Sequence, residues 1–146
     1  MKNIKAIYSF VVLFFLLILT SCTIESDSVP NNLAGMWKLI TINDNGKITS
    51  YADKQVFWSF QAKLLQLEVK NSNIPKIICY YKIENKVLII TKVYRYDREN
   101  GDELLKDPSL LSYYGLTKLK NNFKIELRKD NLNLSIHNKK FSFIRF

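Results

Sequence analysis

Hydrophobic and polar residues alternate through most of the chain beyond residue 35, which is typical of short β-strands with one buried face. The alternation predicts strands at 37–43, 47–51, 56–61, 64–70, 76–83, 87–96, 123–128, 132–137 and 140–146. Turn residues such as Asn45 and Gly46, which tolerate positive φ, separate several of them. Because most connections are short, we predict an all-β fold, a single antiparallel up-and-down barrel of about eight strands.

Residues 97–115 interrupt this pattern. The first part is charged, and the second predicts a short helix in which Asp107 can cap, Pro108 fits the first position and Gly115 can end the helix. We expect this longest excursion to cover one end of the barrel, either as an apolar plug or as a functional lid. The side chains available for either role are Leu110, Leu111, Tyr113 and Tyr114.

The N-terminus has a different pattern. Two lysines precede an apolar run at residues 7–19, and the run ends in Leu-Thr-Ser-Cys at 19–22. A charged start, an apolar stretch of this length and small residues at its end are typical of a secretory signal. The last four residues resemble the lipobox of bacterial lipoproteins, which implies cleavage before Cys22 and lipidation of its thiol. We therefore divide the chain into a signal peptide (1–21), a lipidated cysteine with a flexible tether (22–32) and a barrel domain (33–146).

The tether prediction rests on composition, because residues 23–32 are polar, acidic and contain proline. Glu25 and Asp27 resemble the acidic stretch that favours transfer to the cell surface in Bacteroidetes lipoproteins. The resemblance implies a lipid-anchored protein of the bacterial outer membrane. Whether it lies on the periplasmic or the cell-surface face stays open.

Charge does not indicate a nucleic-acid partner. The chain carries 22 basic and 13 acidic residues, and removal of 1–21 with its two lysines leaves 20 against 13, a formal charge of +7. The lysines are scattered singly, as expected for solvent-facing strand positions rather than a binding groove. Examples are Lys38, Lys54, Lys63, Lys70, Lys82, Lys86 and Lys92.

No catalytic or metal-binding set can be assembled from the sequence. Once Cys22 is lipidated, Cys79 is the remaining thiol; we expect it in the core rather than as a nucleophile, with no internal disulfide. The single histidine, His137, has no visible partner residues. An acidic group at residues 97–103 fits no calcium-binding loop and is expected to be solvated. We expect neither an enzyme nor a cofactor or metal site.

The ends of the domain carry a family resemblance. Gly35 and Trp37 form the Gly-x-Trp motif that opens the first strand of lipocalins, and Arg145 lies where that family places a basic residue over the tryptophan. Together with residues 56–61 and 141–146, the chain resembles the lipocalin-like lipoproteins of Bacteroidetes. The resemblance implies that a guanidinium stacked on an indole joins the terminal strands.

The same resemblance implies a small apolar or amphipathic ligand inside the barrel. Trp58 and Phe60 share one strand face, and Phe57 lies on the other, so the inward face stays undecided. The candidate ligand-binding residues are Trp58, Phe60, Tyr80, Leu110 and Tyr113. In the alternative, the barrel is filled and rigid and acts through its outer surface as a protein-interaction, inhibitor or assembly module in the envelope. A packed interior would favour that alternative.

Overall fold

The computed structural model describes residues 30 and 32–146, which contain ten β-strands and one 3₁₀ helix, Ser109–Tyr114. The strands are β1 (Gly35–Asp44), β2 (Lys47–Ser50), β3 (Val56–Gln61), β4 (Leu64–Val69), β5 (Ile77–Glu84), β6 (Val87–Arg95), β7 (Glu103–Leu104), β8 (Asn121–Arg128), β9 (Asn131–Ile136) and β10 (Lys139–Arg145). The proposed signal peptide, Cys22 and most of the tether lie outside the described residues. Within the described part, no helix is long and apolar enough to cross a membrane.

Eight strands form a closed antiparallel barrel, as the alternation predicted. The hydrogen-bonded order is β1-β3-β4-β5-β6-β8-β9-β10, and β10 returns to pair with β1. The two additional strands extend this sheet, because β2 pairs with the second half of β1 and β7 pairs with the end of β6. A sheet closed in this way has no free edge along its barrel strands.

Two-residue turns account for the short connections. Asn45 and Gly46 join β1 to β2 with φ angles of 52° and 87°, and Asn85 and Lys86 join β5 to β6 with 50° and 63°. Consecutive positive φ values are characteristic of the type I′ turn, whose twist suits the flanking strands. The nine predicted strands are present with ends shifted by no more than two residues, while the two-residue β7 was not predicted.

The inward face is the one that carries Trp58 and Phe60. Both side chains are fully buried in the central core, together with Val56 of the same strand. Phe57 points outward but is also buried, because the rings of Phe57 and Phe146 pack edge to face with centroids 4.9 Å apart. This outward burial explains why both faces of β3 look hydrophobic in the sequence.

The antiparallel order gives the barrel two distinct ends. The closed end contains the chain entry at residues 32–34, the turns 62–63, 85–86 and 129–130, and the end of β10. The open end contains the turns 45–46 and 137–138, the β4–β5 connection and the excursion between β6 and β8. The sheet with its closing strand pair lies within residues 35–145, so we expect residues 23–146 to fold without the preceding segment.

Candidate functional site

The closed end is sealed by the residues of the lipocalin motif. The Arg145 guanidinium carbon lies 4.3 Å from the Trp37 ring centroid, so the expected stacking contact is present. Arg145 also donates hydrogen bonds to the carbonyl oxygens of Asn32 and Ala34, and the Trp37 indole donates to the Leu33 carbonyl at 2.8 Å. These contacts join the last strand to the segment that precedes the first.

Gly35 is required at this end for two reasons. Its φ of +118° is unfavourable for residues with a side chain, and a Cβ atom here would lie 3.3 Å from Nη1 of Arg145. Glycine therefore lets the backbone pass beneath the guanidinium. Gly35, Trp37 and Arg145 act together as a structural seal in this geometry.

The barrel interior is filled with aromatic side chains. The Trp58 ring lies 5.1 Å from Phe143 and 5.8 Å from Phe141 between centroids, and Phe60 contacts Tyr81 edge to face at 5.5 Å. All five residues are at most 3% exposed. Trp58 and Phe60 thus lie inside the barrel, where their present role is core packing.

Tyr80 does not line the interior with Trp58. Its neighbours Cys79 and Tyr81 point inward, so strand alternation places Tyr80 on the outer wall, where it is 46% exposed and lies 5.8 Å from the Tyr94 ring. Tyr113 is 50% exposed on the 3₁₀ helix, and Leu110 beside it is half-buried. The five candidate ligand-binding residues therefore occupy three separate regions and do not form one site.

The excursion forms a fixed plug at the open end. Its helix is 3₁₀ and begins at Ser109, so Pro108 is the N-cap residue, and the prediction of Asp107 as the cap and Pro108 as the first helical residue was wrong by one position. Asp107 still accepts a hydrogen bond from the Ser109 backbone N–H at 2.8 Å. Hydrogen bonds from Ser109 hold the pKa of the Asp107 carboxyl below its ordinary value. The Tyr114 hydroxyl donates to the Pro75 carbonyl at 2.7 Å. Leu111, Tyr114 and Leu116 are buried, which ties the plug to the core.

Gly115 fixes the direction in which the chain leaves this helix. It has a left-handed conformation with φ +80°, as predicted for a helix end. A Cβ atom here would lie 2.2 Å from Cδ1 of Ile42 and 3.0 Å from Phe141. The plug can therefore reach the barrel wall because residue 115 has no side chain.

A cleft of about 220 Å³ opens beside the plug at the open end. It is lined by Asp44, Asn45, Gly115, Leu116, Thr117, Lys118, Asn121, Ile136, His137, Asn138, Lys139 and Phe141. Leu116 and Phe141 are almost fully buried and form its apolar floor. The Lys139 ammonium donates to the Gly115 carbonyl at 2.9 Å and lies 3.8 Å from Oδ2 of Asp44, so this lysine is held in place.

The lining of this cleft contains more lysines than carboxylates, because Asp44 lies beside Lys139 and Lys118 has no such neighbour. Lys118 is exposed, and none of the described carboxylates lies within 4 Å of its ammonium. His137 lies at the same rim in the β9–β10 turn. An apolar floor with a basic rim matches an amphipathic molecule that carries an acidic or strongly polar group. Sequence reasoning missed this cleft because its lining comes from distant segments and contains no short motif.

Among the residues that the structure describes, the buried side-chain polar groups without a hydrogen-bond partner are the Trp58 indole N–H and the Tyr81 hydroxyl. Burial raises the pKa of Tyr81 to about 12. Burial also raises the pKa of the fully buried Cys79 thiol to about 12, so this thiol is protonated at neutral pH. Cys79 is thus a core residue, as expected from its apolar strand.

Two acidic side chains at residues 97–103, those of Asp97 and Asp102, accept hydrogen bonds from the backbone of their own loop. One carboxylate oxygen of Asp97 accepts the backbone N–H groups of Glu99 and Asn100 at 2.9 and 3.0 Å. Asp102 accepts the Asp97 N–H at 3.1 Å. Across residues 30 and 32–146, no group of three His, Cys, Asp or Glu side chains is arranged to hold a metal ion.

Comparisons with known proteins agree with this architecture. The chain is similar to a lipocalin-like protein from Bacteroides uniformis, with 22% identity, a TM-score of 0.61 and coverage of 80% of this chain and 100% of that chain. It is also similar to an uncharacterized protein from Bacteroides eggerthii, with 20% identity, a TM-score of 0.56 and coverage of 77% and 98%. No curated protein matches. The model of the lipocalin-like domain matches residues 17–146, and the chain therefore belongs to the lipocalin-like domain family.

Proposed function

We propose that the protein is a lipoprotein of the bacterial outer membrane, anchored through Cys22, whose barrel binds a small amphipathic molecule at its open end. The anchor is supported by the lipobox-like sequence at residues 19–22 and by the basic and apolar segment before it. More than one acyl chain, as in bacterial lipoproteins, would give stable membrane attachment.

The proposal of ligand binding rests on the cleft beside the plug. It combines buried apolar side chains with an exposed, unpaired lysine at the mouth of a β-barrel, a common place for ligand sites. The interior beyond it is occupied by Trp58, Phe60 and the rings they contact. A ligand that enters at the open end is therefore expected to stop at the floor formed by Leu116 and Phe141.

Calorimetric titration of residues 23–146 with a panel of fatty acids and other amphipathic anions tests this site. We expect saturable binding with one site per chain and a negative heat-capacity change from apolar burial. Thr117→Trp should fill the cleft and abolish binding, whereas Thr49→Trp, at an exposed position outside the cleft, should leave it intact. Lys118→Gln should weaken binding of acidic ligands about twofold to fivefold. Equal affinity in Thr117→Trp and wild type would contradict the proposal.

The anchor has its own test. Cys22→Ser removes the thiol that would accept the lipid, so metabolic lipid labelling and partitioning into detergent should both be lost. Ser21→Ala, which keeps a small residue before the cysteine, is the matched control and should remain labelled. Unchanged labelling in Cys22→Ser would refute the lipoprotein proposal without affecting the titration.

Exposed aromatic and apolar side chains on the outer wall support a second candidate function, in which the protein is a protein-interaction module. Tyr80, Leu104 and Tyr96 are 46%, 50% and 42% exposed, and Tyr80 and Tyr94 are in contact on neighbouring strands. The filled interior also fits this function. A photo-crosslinking residue at position 80 should capture an envelope protein in cells, whereas one at position 113 should not. Absence of cross-links at position 80 would leave ligand binding as the better proposal.

A further inference from the structure

Every two-residue turn at the closed end contains a lysine. Lys63 lies in the β3–β4 turn, Lys86 in the β5–β6 turn and Lys129 in the β8–β9 turn, and all three are exposed. In the linear sequence these lysines look scattered. The antiparallel order of the barrel brings them to one end, because each of these turns follows a strand that runs towards that end.

The acidic side chains in or beside these turns are already paired. Glu84 contacts the Lys82 ammonium at 2.5 Å, and Asp130 lies 3.9 Å from Nε of Arg145. The next acid on this side, Glu126, lies on the outer wall of β8 rather than in a turn. None of the described carboxylates lies within 4 Å of the three turn lysines. Their positive charge is therefore free to act on a partner.

The chain enters the barrel at the same end. Arg145 holds the carbonyl oxygens of Asn32 and Ala34, and Leu33 is fully buried beneath them. The ten residues 23–32 separate this point from Cys22. Even when fully extended, ten residues span at most about 35 Å. An anchor at Cys22 would thus hold the chain entry, and with it the closed end, within about 35 Å of the membrane.

We infer that the three turn lysines form a contact surface for phosphate-bearing headgroups of the membrane that holds the anchor. This inference rests on the proposed anchor at Cys22. The open end provides the contrast, because lysines there are interspersed with acids. The open-end acids are Asp44, Asp53, Asp97, Glu99, Asp102, Glu103 and Asp107. At the closed end the acids beside the turn lysines are paired with other residues, so contact of these three lysines with an anionic surface would orient the cleft away from the bilayer.

Co-sedimentation of residues 23–146 with phosphatidylcholine vesicles, with and without phosphatidylglycerol, tests the surface. This form lacks the lipid acceptor, so any binding is independent of lipidation. We expect binding to the anionic vesicles that weakens at high salt. Each lysine near an anionic surface contributes about a fivefold gain in partitioning, so replacing Lys63, Lys86 and Lys129 with glutamine should reduce it roughly a hundredfold.

The matched control replaces three exposed open-end lysines, Lys47, Lys106 and Lys120, with glutamine. Both variants have the same net charge. The eight residues of β8 span about 26 Å, several times the screening length of about 8 Å at physiological salt. The control should therefore bind within about twofold of wild type. Circular dichroism should show that both variants remain folded, since all six side chains are exposed.

Two results would overturn the inference. One is equal sedimentation with neutral and anionic vesicles, and the other is an equal loss of binding in the closed-end and open-end variants. Either could occur while Cys22 is still lipidated in cells. Conversely, loss of the anchor proposal would show in the labelling of Cys22→Ser and not in this assay, so the two failures can be distinguished.

Discussion

The two ends of the barrel are closed by different means. At the closed end, Arg145 of the last strand stacks on Trp37 of the first and donates to the carbonyls of Asn32 and Ala34, so the two ends of the domain hold each other. At the open end, one excursion folds over the barrel and is held by Tyr114 and by the close approach of Gly115 to Ile42. The first closure is centred on a stacked pair of side chains, while the second is centred on a glycine that lies against the barrel wall. Gly35 at the closed end also has a positive φ, but a Cβ atom there would lie 3.3 Å from the flexible Arg145 side chain, against 2.2 Å from Ile42 at Gly115. Loss of side-chain atoms should therefore have its largest effect at the closed end, and their addition at the open end.

The largest effect is expected from Trp37→Ala. It removes a fully buried ring and the stacking partner of Arg145, which should lower the free energy of unfolding by about 3–5 kcal/mol. Arg145→Ala should cost less, and the double variant should cost less than the sum, because the residues touch. Urea unfolding monitored by circular dichroism measures all three. Strictly additive losses in the free energy of unfolding would mean that Trp37 and Arg145 do not stabilise this end together.

Gly115→Ala tests the opposite change, the addition of a side-chain atom at the open end. The new methyl group would clash with Ile42 and occupy a left-handed backbone, so we expect a loss of about 1–3 kcal/mol with the plug displaced. Gly46→Ala is the matched control, because its φ of +87° is similar but nothing lies within 4 Å of its Cβ position. It should cost only about 1 kcal/mol. Equal losses in urea unfolding would mean that the close contact at Gly115 has no energetic role.

A further effect is expected above neutral pH. Burial raises the folded-state pKa values of Cys79 and Tyr81 from 9.0 and 10.0 to about 12. Both groups are neutral when protonated, so their contribution is fully present below the unfolded-state pKa and is lost as pH rises through the folded-state value. Stability should therefore fall between about pH 9 and pH 12. Thermal unfolding of a Cys79→Ala and Tyr81→Phe double variant should show a flatter decline, and an unchanged decline would contradict this assignment.

Much of the fold could be predicted because a strand with one buried face leaves a period of two in the sequence. The same rule decides that Tyr80 faces outward once its neighbours are known to point in, but the sequence does not show which face of β5 is buried. The strand β7 was missed because two residues contain no period. The cleft was missed because Asp44, Lys118 and Lys139 converge through tertiary structure alone.

The closing strand pair also has a consequence for folding. The two-residue turns allow neighbouring hairpins to form through local contacts, whereas β1 meets β10 through the pairing of Trp37 with Arg145, more than a hundred residues away. Long-range pairing of this kind is slow because the loop entropy must be overcome first. Until β10 is in place, β1 exposes a free edge that can pair with another chain. Pairing of β10 with β1 therefore removes the edge through which the incomplete sheet could aggregate, and it completes the barrel.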